Sequence, residues 1–221
     1  MGIVARSEGL ITVLGYGSLL SQRSALETVP RLTGFRRVRL PGYRRIFNKV
    51  GVVFFSRHGA DPASLEIASC STEMMPGSEI ICSAFDVPEA DFPALYEREH
   101  RYRWADVRAL DEAGMPVQGR ICTSSTDIDY RLNKCVTPAE YYRRVGQYYS
   151  GPLWRDDILP FPRYLVFCLE AAATQGQAVL DNFLDCSFLA DGCTSIRQYL
   201  STLEPPLQWQ GNGDVYSYRA R

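Results

Sequence analysis

The chain has 221 residues, of which 46% are hydrophobic and 22% are charged, and its formal net charge is −1. This length and composition are ordinary for a soluble globular protein with one large domain or two small ones. The near-neutral charge gives no general electrostatic attraction to nucleic acid or to an anionic membrane, so we expect neither as a partner.

The N-terminus and the apolar runs predict a cytoplasmic protein. No run approaches the ~20 apolar residues that span a bilayer. The first eight residues do not form a signal peptide, and Arg6 stands where a myristoylation pattern needs Ser or Thr. We therefore expect no association with a membrane.

The cysteines and histidines predict neither a zinc site nor a disulfide framework. The chain has seven cysteines and two histidines, and no Cys-x-x-Cys pair occurs. An odd number of cysteines in a chain of this size argues against a disulfide scaffold, and most of them lie in apolar contexts. We expect buried thiols, no metal and no cofactor.

The first half of the chain predicts many strands. An apolar run over Leu10–Tyr16 opens it, and a short helix over Ser21–Val29 follows. Glycine and proline then predict turns at Pro41-Gly42 and Pro76-Gly77. The later strands are predicted at Leu32–Leu40, Tyr43–Asn48, Val52–Ser56, Leu65–Ser71 and Glu79–Val87.

The second half predicts helices after two more strands. Pro88 and the acidic residues behind it favour a helix to about His100, and strands over Tyr102–Leu110 and Val117–Ser124 follow. Residues 125–136 are the only candidate linker. Later helices are predicted at residues 137–149, 164–175, 178–188 and 194–203.

These elements predict an α+β fold. We expect a small mixed, largely antiparallel β-barrel surrounded by helices. Residues 1–221 form a single domain in this interpretation, and residues 204–221 form an extended C-terminal tail.

The segment after the first strand is the strongest candidate for a binding loop. In Gly15-Tyr16-Gly17-Ser18 the two glycines let a ligand approach the backbone closely, and successive N–H groups can face one oxygen. The spacing alone also fits an ordinary turn. A third glycine and a Gly-Lys-Ser/Thr sequence are both missing, so the loop is neither a dinucleotide fingerprint nor a P-loop.

Glu99 is the candidate acid/base group, because it shares a helix face with an apolar stripe. A carboxylate at the end of such a stripe is partly desolvated, which suits a general base near neutral pH. At a fraying helix end it would instead reach water. Its neighbours Glu97, Arg98 and His100 are expected at the surface. The residues of the shared face are Phe92, Leu95, Tyr96 and Glu99.

Two motifs together resemble the γ-glutamylcyclotransferase family. The run Gly15-Tyr16-Gly17-Ser18-Leu19-Leu20 resembles the family's Tyr-Gly-Ser-Leu/Asn signature. The run Leu95-Tyr96-Glu97-Arg98-Glu99, with Tyr102 and a strand behind it, resembles the family's glutamate segment. Residues 41–48 also resemble the family's second strand. The similarity covers residues 10–200, and the two motifs are specific only in combination.

The resemblance implies a cyclotransferase-like domain and a metal-free reaction without a cofactor. The free α-amino group of a γ-glutamyl compound, such as glutathione, attacks its own γ-carbonyl and releases 5-oxoproline and an amine. The resemblance implies that Glu99 is the catalytic group. It also implies that the substrate is cradled by Tyr16, Gly17, Ser18, Leu19 and Leu20.

Other functions stay open. Many family members carry a substrate-binding tyrosine on a late helix, whereas residues 176–184 offer none and Tyr164 is an alternative on the preceding helix. Arg45 and Asn48 are further pocket candidates, although arginine is more often exposed. The missing tyrosine favours a non-catalytic ligand- or partner-binding member of the family, while Glu99 favours an enzyme. A third alternative is a biosynthetic cyclotransferase that deprotects a larger γ-glutamyl amine. The amine side of the substrate and the oligomeric state stay open.

Overall fold

A closed five-stranded β-barrel forms the centre of the protein in the computed structural model, which describes residues 9–209. The strand order around the barrel is β3-β1-β5-β4-β2, and β2 pairs with β3 to close the ring. Its strands are β1 (Leu10–Gly15), β2 (Thr33–Val50), β3 (Glu66–Pro88), β4 (Arg103–Leu110) and β5 (Pro116–Thr123).

Around this ring one pairing, between β1 and β5, is parallel and the other pairings are antiparallel. The predicted mixed, largely antiparallel barrel is therefore confirmed. Two short strands extend the sheet: β6 (Leu159–Pro160) runs parallel to β3, and β7 (Ser187–Leu189) runs parallel to β2.

Helices surround the barrel, as the α+β prediction requires. Within residues 9–209 none of them is long and apolar enough to cross a membrane. A single 3-10 turn covers Ser18–Leu20, and a wider turn over Tyr142–Gly146 continues the fifth helix. The helices are α1 (Gln22–Leu26), α2 (Val52–His58), α3 (Phe92–Arg98), α4 (Asp127–Asn133), α5 (Pro138–Tyr141), α6 (Pro162–Thr174), α7 (Gln177–Asp185) and α8 (Ile196–Thr202).

β2 and β3 continue through the turns that we expected at Pro41-Gly42 and Pro76-Gly77. The pairing steps from Pro41 opposite Glu79 to Tyr43 opposite Met74. Gly42 and Gly77 have φ of +76° and +85°, and they accommodate an irregularity in the ladder instead of ending the strands. The prediction of separate strands was wrong because a bulge and a turn use the same residue types.

Residues 52–56 form part of helix α2, and the strand predicted there was wrong. Strand β2 ends at Val50, and the N–H of Gly51 then donates to the carbonyl of Ile67 at 2.9 Å. Gly59, with φ of +68°, then closes the helix in the left-handed conformation. Tertiary packing of Val52 and Phe54 into the core outweighs the strand preference of the β-branched residues.

Two boundaries in the middle of the chain also differ from the prediction. Helix α3 begins four residues later than expected, because Pro88 still pairs with Leu10 at the end of the barrel. Residues 125–136 are not a linker, because Thr126 caps α4 by accepting from the N–H of Asp129 at 3.0 Å. The predicted tail at 204–221 lies partly outside the described residues, which end at 209.

Candidate active site

The loop after β1 is held by side chains that reach its carbonyl oxygens from the barrel. Nε of Arg45 donates to the carbonyl of Tyr16 at 2.8 Å. Oγ of Ser83 donates to the carbonyl of Leu19 at 2.6 Å. Since a trans peptide directs its C=O and N–H to opposite sides, the contact with Arg45 turns the next N–H, that of Gly17, away from the guanidinium.

This loop also presents unused backbone donors. Within residues 9–209 the N–H groups of Gly17, Ser18 and Leu19 have no hydrogen-bond acceptor. The N–H of Leu20 donates to the carbonyl of Gly17 at 2.9 Å. Leu20 therefore supplies no free donor, contrary to the expectation that the whole run cradles a ligand, because the 3-10 turn uses its N–H.

Both glycines of the loop are required by close contacts. A Cβ at Gly15 would lie 2.6 Å from the carbonyl oxygen of Leu19, and one at Gly17 would lie 2.7 Å from the hydroxyl of Tyr164. Nothing larger than glycine fits at either position without a shift of the neighbouring atoms. The Gly-x-Gly spacing of the loop thus has a steric origin.

Glu99 lies at the same cavity as the loop. It directly follows α3, and its N–H donates to the carbonyl of Leu95 at 3.0 Å. Its side chain is 15% exposed. Together with residues 15–19 it lines one cavity. Of the predicted site residues, the structure thus brings Glu99 together with Tyr16, Gly17, Ser18 and Leu19, whereas Leu20 does not line the cavity.

Arg98 connects Glu99 to the loop, although we expected it at the surface. Its side chain is buried, and its Nε lies 3.1 Å from Oε1 of Glu99. One Nη donates to Oγ of Ser18 at 3.3 Å, and the other donates to the carbonyl of Ser24 at 2.8 Å. The backbone after α3 begins to leave the helix at Glu99, so the helical wheel fails to place these two neighbours.

A second cavity adjoins the first and contains a buried cation. It shares Ser18, Glu99, Tyr102 and Tyr164 with the first cavity. Lys49 on β2 lines it and is 5% exposed. Burial lowers the pKa of Lys49 to about 7, and the nearby charge of Arg101 lowers it too, while Glu99 acts in the opposite direction.

Two tyrosines border both cavities. The hydroxyl of Tyr102 donates to the carbonyl of Cys70 at 2.8 Å, and burial raises the pKa of this phenol. Tyr164 on α6 also lines both cavities. The structure therefore places Tyr164, the alternative to the missing tyrosine of residues 176–184, at the candidate site.

Other residues of this region were misjudged or missed in the sequence. Arg45 is fully buried, and His100 is buried against Tyr130 with its Nδ1 3.4 Å from the phenol oxygen. Burial and the charge of Arg144 lower the pKa of His100 to about 4. Lys49 was missed, and its sequence signal is a single charge in the otherwise uncharged region between Ile46 and Phe55.

The thiols at the site are not activated. Cys70 and Cys122 line the first cavity, and burial raises the pKa of Cys70 to about 12 and that of Cys122 well above its usual value. Both are therefore protonated at neutral pH and are poor nucleophiles. In the part of the chain that the structure describes, no three His, Cys, Asp or Glu side chains form a group that could hold a metal ion.

No protein-family model and no curated protein matches this sequence. Among solved structures, the chain is similar to a γ-glutamyl cyclotransferase at 15% identity and a TM-score of 0.45, covering 69% of this chain and 89% of that one. It is similar to a yeast γ-glutamyl cyclotransferase specific to glutathione at 14% identity and a TM-score of 0.49, with coverages of 78% and 95%. It is also similar to an AIG2-like protein from Mus musculus at 15% identity and a TM-score of 0.36, with coverages of 52% and 78%.

Proposed function

We propose that the protein is a γ-glutamyl cyclotransferase that releases 5-oxoproline and a free amine from a small γ-glutamyl compound. One observation carries this proposal. A carboxylate, Glu99, and a loop with unused backbone donors, Gly17–Leu19, line one cavity. An intramolecular aminolysis needs these two elements, a proton carrier and an oxyanion site, on opposite sides of one bound molecule.

The reaction begins with the α-amino group of the substrate, which arrives as an ammonium. The carboxylate of Glu99 removes one proton, and the amine nitrogen attacks the γ-carbonyl carbon to close a five-membered ring. Holding both reacting groups of one molecule in the bent conformation contributes up to ~7–11 kcal/mol in favourable cases.

Ring closure places negative charge on the former γ-carbonyl oxygen. The N–H groups of Gly17, Ser18 and Leu19 donate to this oxyanion. As the tetrahedral intermediate collapses, the C–N bond to the leaving amine breaks and Glu99 returns a proton to that nitrogen. The ring nitrogen then loses its second proton to the carboxylate of Glu99, which passes it to solvent. The products are 5-oxoproline and the free amine, and Glu99 ends as a carboxylate again.

Glu99→Gln tests the role of the carboxylate. The amide cannot carry the proton, so we expect 5-oxoproline release to fall by ~10²–10⁴-fold while the fold is retained. The matched control is Glu97→Gln, two residues away. Glu97 is 61% exposed, pairs with Arg144 and lines neither cavity. Wild-type turnover by Glu99→Gln, or an equal loss in both variants, would rule out this role.

A second function is favoured by the ion pair between Arg98 and Glu99. A carboxylate that already has a cationic partner 3.1 Å away also suits a site that only binds a ligand. In that case the protein is a non-catalytic ligand- or partner-binding member of the same fold. It would bind γ-glutamyl compounds or 5-oxoproline and form no product.

The size of the amine distinguishes the remaining alternative, a biosynthetic cyclotransferase. Preferential turnover of a large γ-glutamyl amine over glutathione and γ-glutamyl amino acids would favour the deprotecting enzyme instead.

A further inference from the structure

Lys49 carries a buried amino group at the second cavity. Its Nζ donates to the carbonyl of Val50 at 3.2 Å and lies 4.6 Å above the ring of Tyr102. Within residues 9–209 no carboxylate forms an ion pair with it. An ammonium in this position is costly in the empty site, and a bound anion would offset that cost.

Arg101 is a second cation at the same cavity with donor capacity left over. One Nη donates to the carbonyl of Arg144 at 2.6 Å. Its Nε is buried and has no hydrogen-bond partner in the described part of the chain. The charge of Arg101 also lowers the pKa of Lys49, so the two cations repel each other across the cavity.

The charges that line this cavity do not balance. Three cations, Lys49, Arg98 and Arg101, face one carboxylate, Glu99. Glu99 is already paired with Arg98 at 3.1 Å. The charge of Arg101, and that of Lys49 in its protonated form, therefore stay uncompensated among the described lining residues, and a carboxylate of the ligand is the group that fits them.

We propose that Lys49 and Arg101 hold the α-carboxylate of the γ-glutamyl group. This assignment rests on the proposed function. In every γ-glutamyl compound the α-carboxylate and the α-amino group are attached to the same carbon atom. Glu99, which accepts the proton of that amine, lines both cavities. With the amine at Glu99 and the γ-carbonyl at the loop, the α-carboxylate falls on the side of the second cavity.

Lys49 and Arg101 thus make the site select compounds that carry an α-carboxylate. The variable leaving amine makes no contact with Lys49, which lies deep in the molecule. We expect γ-glutamyl compounds with and without a charge on the leaving amine to depend equally on Lys49 and Arg101. Compounds whose α-carboxylate is replaced by a carboxamide lose this interaction.

The test is a binding cycle with two ligands, 5-oxoproline and its carboxamide, measured by calorimetry. Wild-type protein binds 5-oxoproline more tightly than the carboxamide. Lys49→Met lowers the affinity for 5-oxoproline by tenfold or more and leaves the affinity for the carboxamide within twofold. Arg101→Gln, a second variant at a less buried position, lowers it by threefold or more. The control Arg103→Gln removes an exposed charge that lines neither cavity, and it binds both ligands as the wild type does.

Three results would overturn the proposal: wild-type protein that does not bind 5-oxoproline, variants that bind it as the wild type does, or variants that lose both ligands equally. The turnover assay separates this proposal from the proposed function. If the protein binds 5-oxoproline more tightly than the carboxamide but releases no 5-oxoproline from any substrate, the proposed enzyme activity is refuted and the carboxylate site is retained. Turnover with unchanged KM in Lys49→Met and Arg101→Gln retains the enzyme and refutes the carboxylate site.

Discussion

Lys49 stands on β2 between Asn48 and Val50, and the residue is 5% exposed. Its lowered pKa, about 7 against 10.5 for an ordinary lysine, means that the unfolded chain binds this proton more tightly than the folded protein does. The folded state is therefore penalised wherever the unfolded lysine is charged. At the scale of single residues, such a cost is expected at binding sites and rarely elsewhere.

Lys49→Met removes this penalty. Below about pH 7 the penalty is complete, and it disappears as the pH rises from about 7 to about 10.5, because the unfolded lysine then loses its proton too. We expect the variant to be more stable than the wild type by a few kcal/mol at pH 6.5 and by much less at pH 10. Urea denaturation at the two pH values measures the difference. An equal or lower stability at pH 6.5 would contradict the account.

At the scale of elements, the loop after β1 packs against helix α6, and Gly17 faces Tyr164 in this contact. Gly17 is the position at which a Cβ would approach the hydroxyl of Tyr164 to 2.7 Å. Gly17→Ala therefore destabilises the protein, by about 1–3 kcal/mol if the helix cannot move. In the double variant with Tyr164→Phe the hydroxyl is absent, and part of that loss is recovered. Denaturation of the four proteins gives the coupling, and simple additivity would refute the contact.

The sequence predicts an element correctly when neighbouring residues determine its conformation, and it fails when tertiary contacts do. The strand before Gly15, the two strands on either side of residues 111–115 and the helix predicted at 194–203 follow from neighbouring residues, and the structure has all of them. The strand predicted at Val52–Ser56 is a helix because its environment decides its conformation. The candidate site divides in the same way. The loop and Glu99 belong to local sequence motifs and could be predicted, whereas Lys49 and Arg101 come together only when the barrel closes.

At the scale of the whole molecule, Arg45 joins the barrel to the helices around it. Its guanidinium donates to the carbonyl of Tyr16 at 2.8 Å, to Oδ1 of Asn182 on α7 at 3.2 Å, and to the carbonyl of Ile81 on β3. Its charge lies 5.0 Å from the ring centre of Phe183. One side chain on β2 thus holds the loop after β1, strand β3 and helix α7 together.

Arg45→Met removes the hydrogen bonds to one buried and two half-buried acceptors, so we expect a loss of stability of ~3 kcal/mol. The loop also loses the contact at Tyr16, and 5-oxoproline release falls with it. The control is Arg39→Met on the same strand, where a partly exposed arginine pairs with Glu79 at 3.4 Å. Its effect is at most ~1 kcal/mol. Thermal or urea unfolding compares the two variants, and equal losses would show that the network at Arg45 contributes nothing of its own.

The reaction itself gives the most direct test of the central claim, which is that Glu99 and the Gly17–Leu19 loop cyclise a γ-glutamyl group. Wild-type protein is incubated with glutathione, γ-glutamyl amino acids and γ-glutamyl amines, and all products are quantified by mass spectrometry. We predict equal amounts of 5-oxoproline and free amine from at least one compound, with no free glutamate. Glutamate in place of 5-oxoproline, or no product from any compound, would contradict the claim.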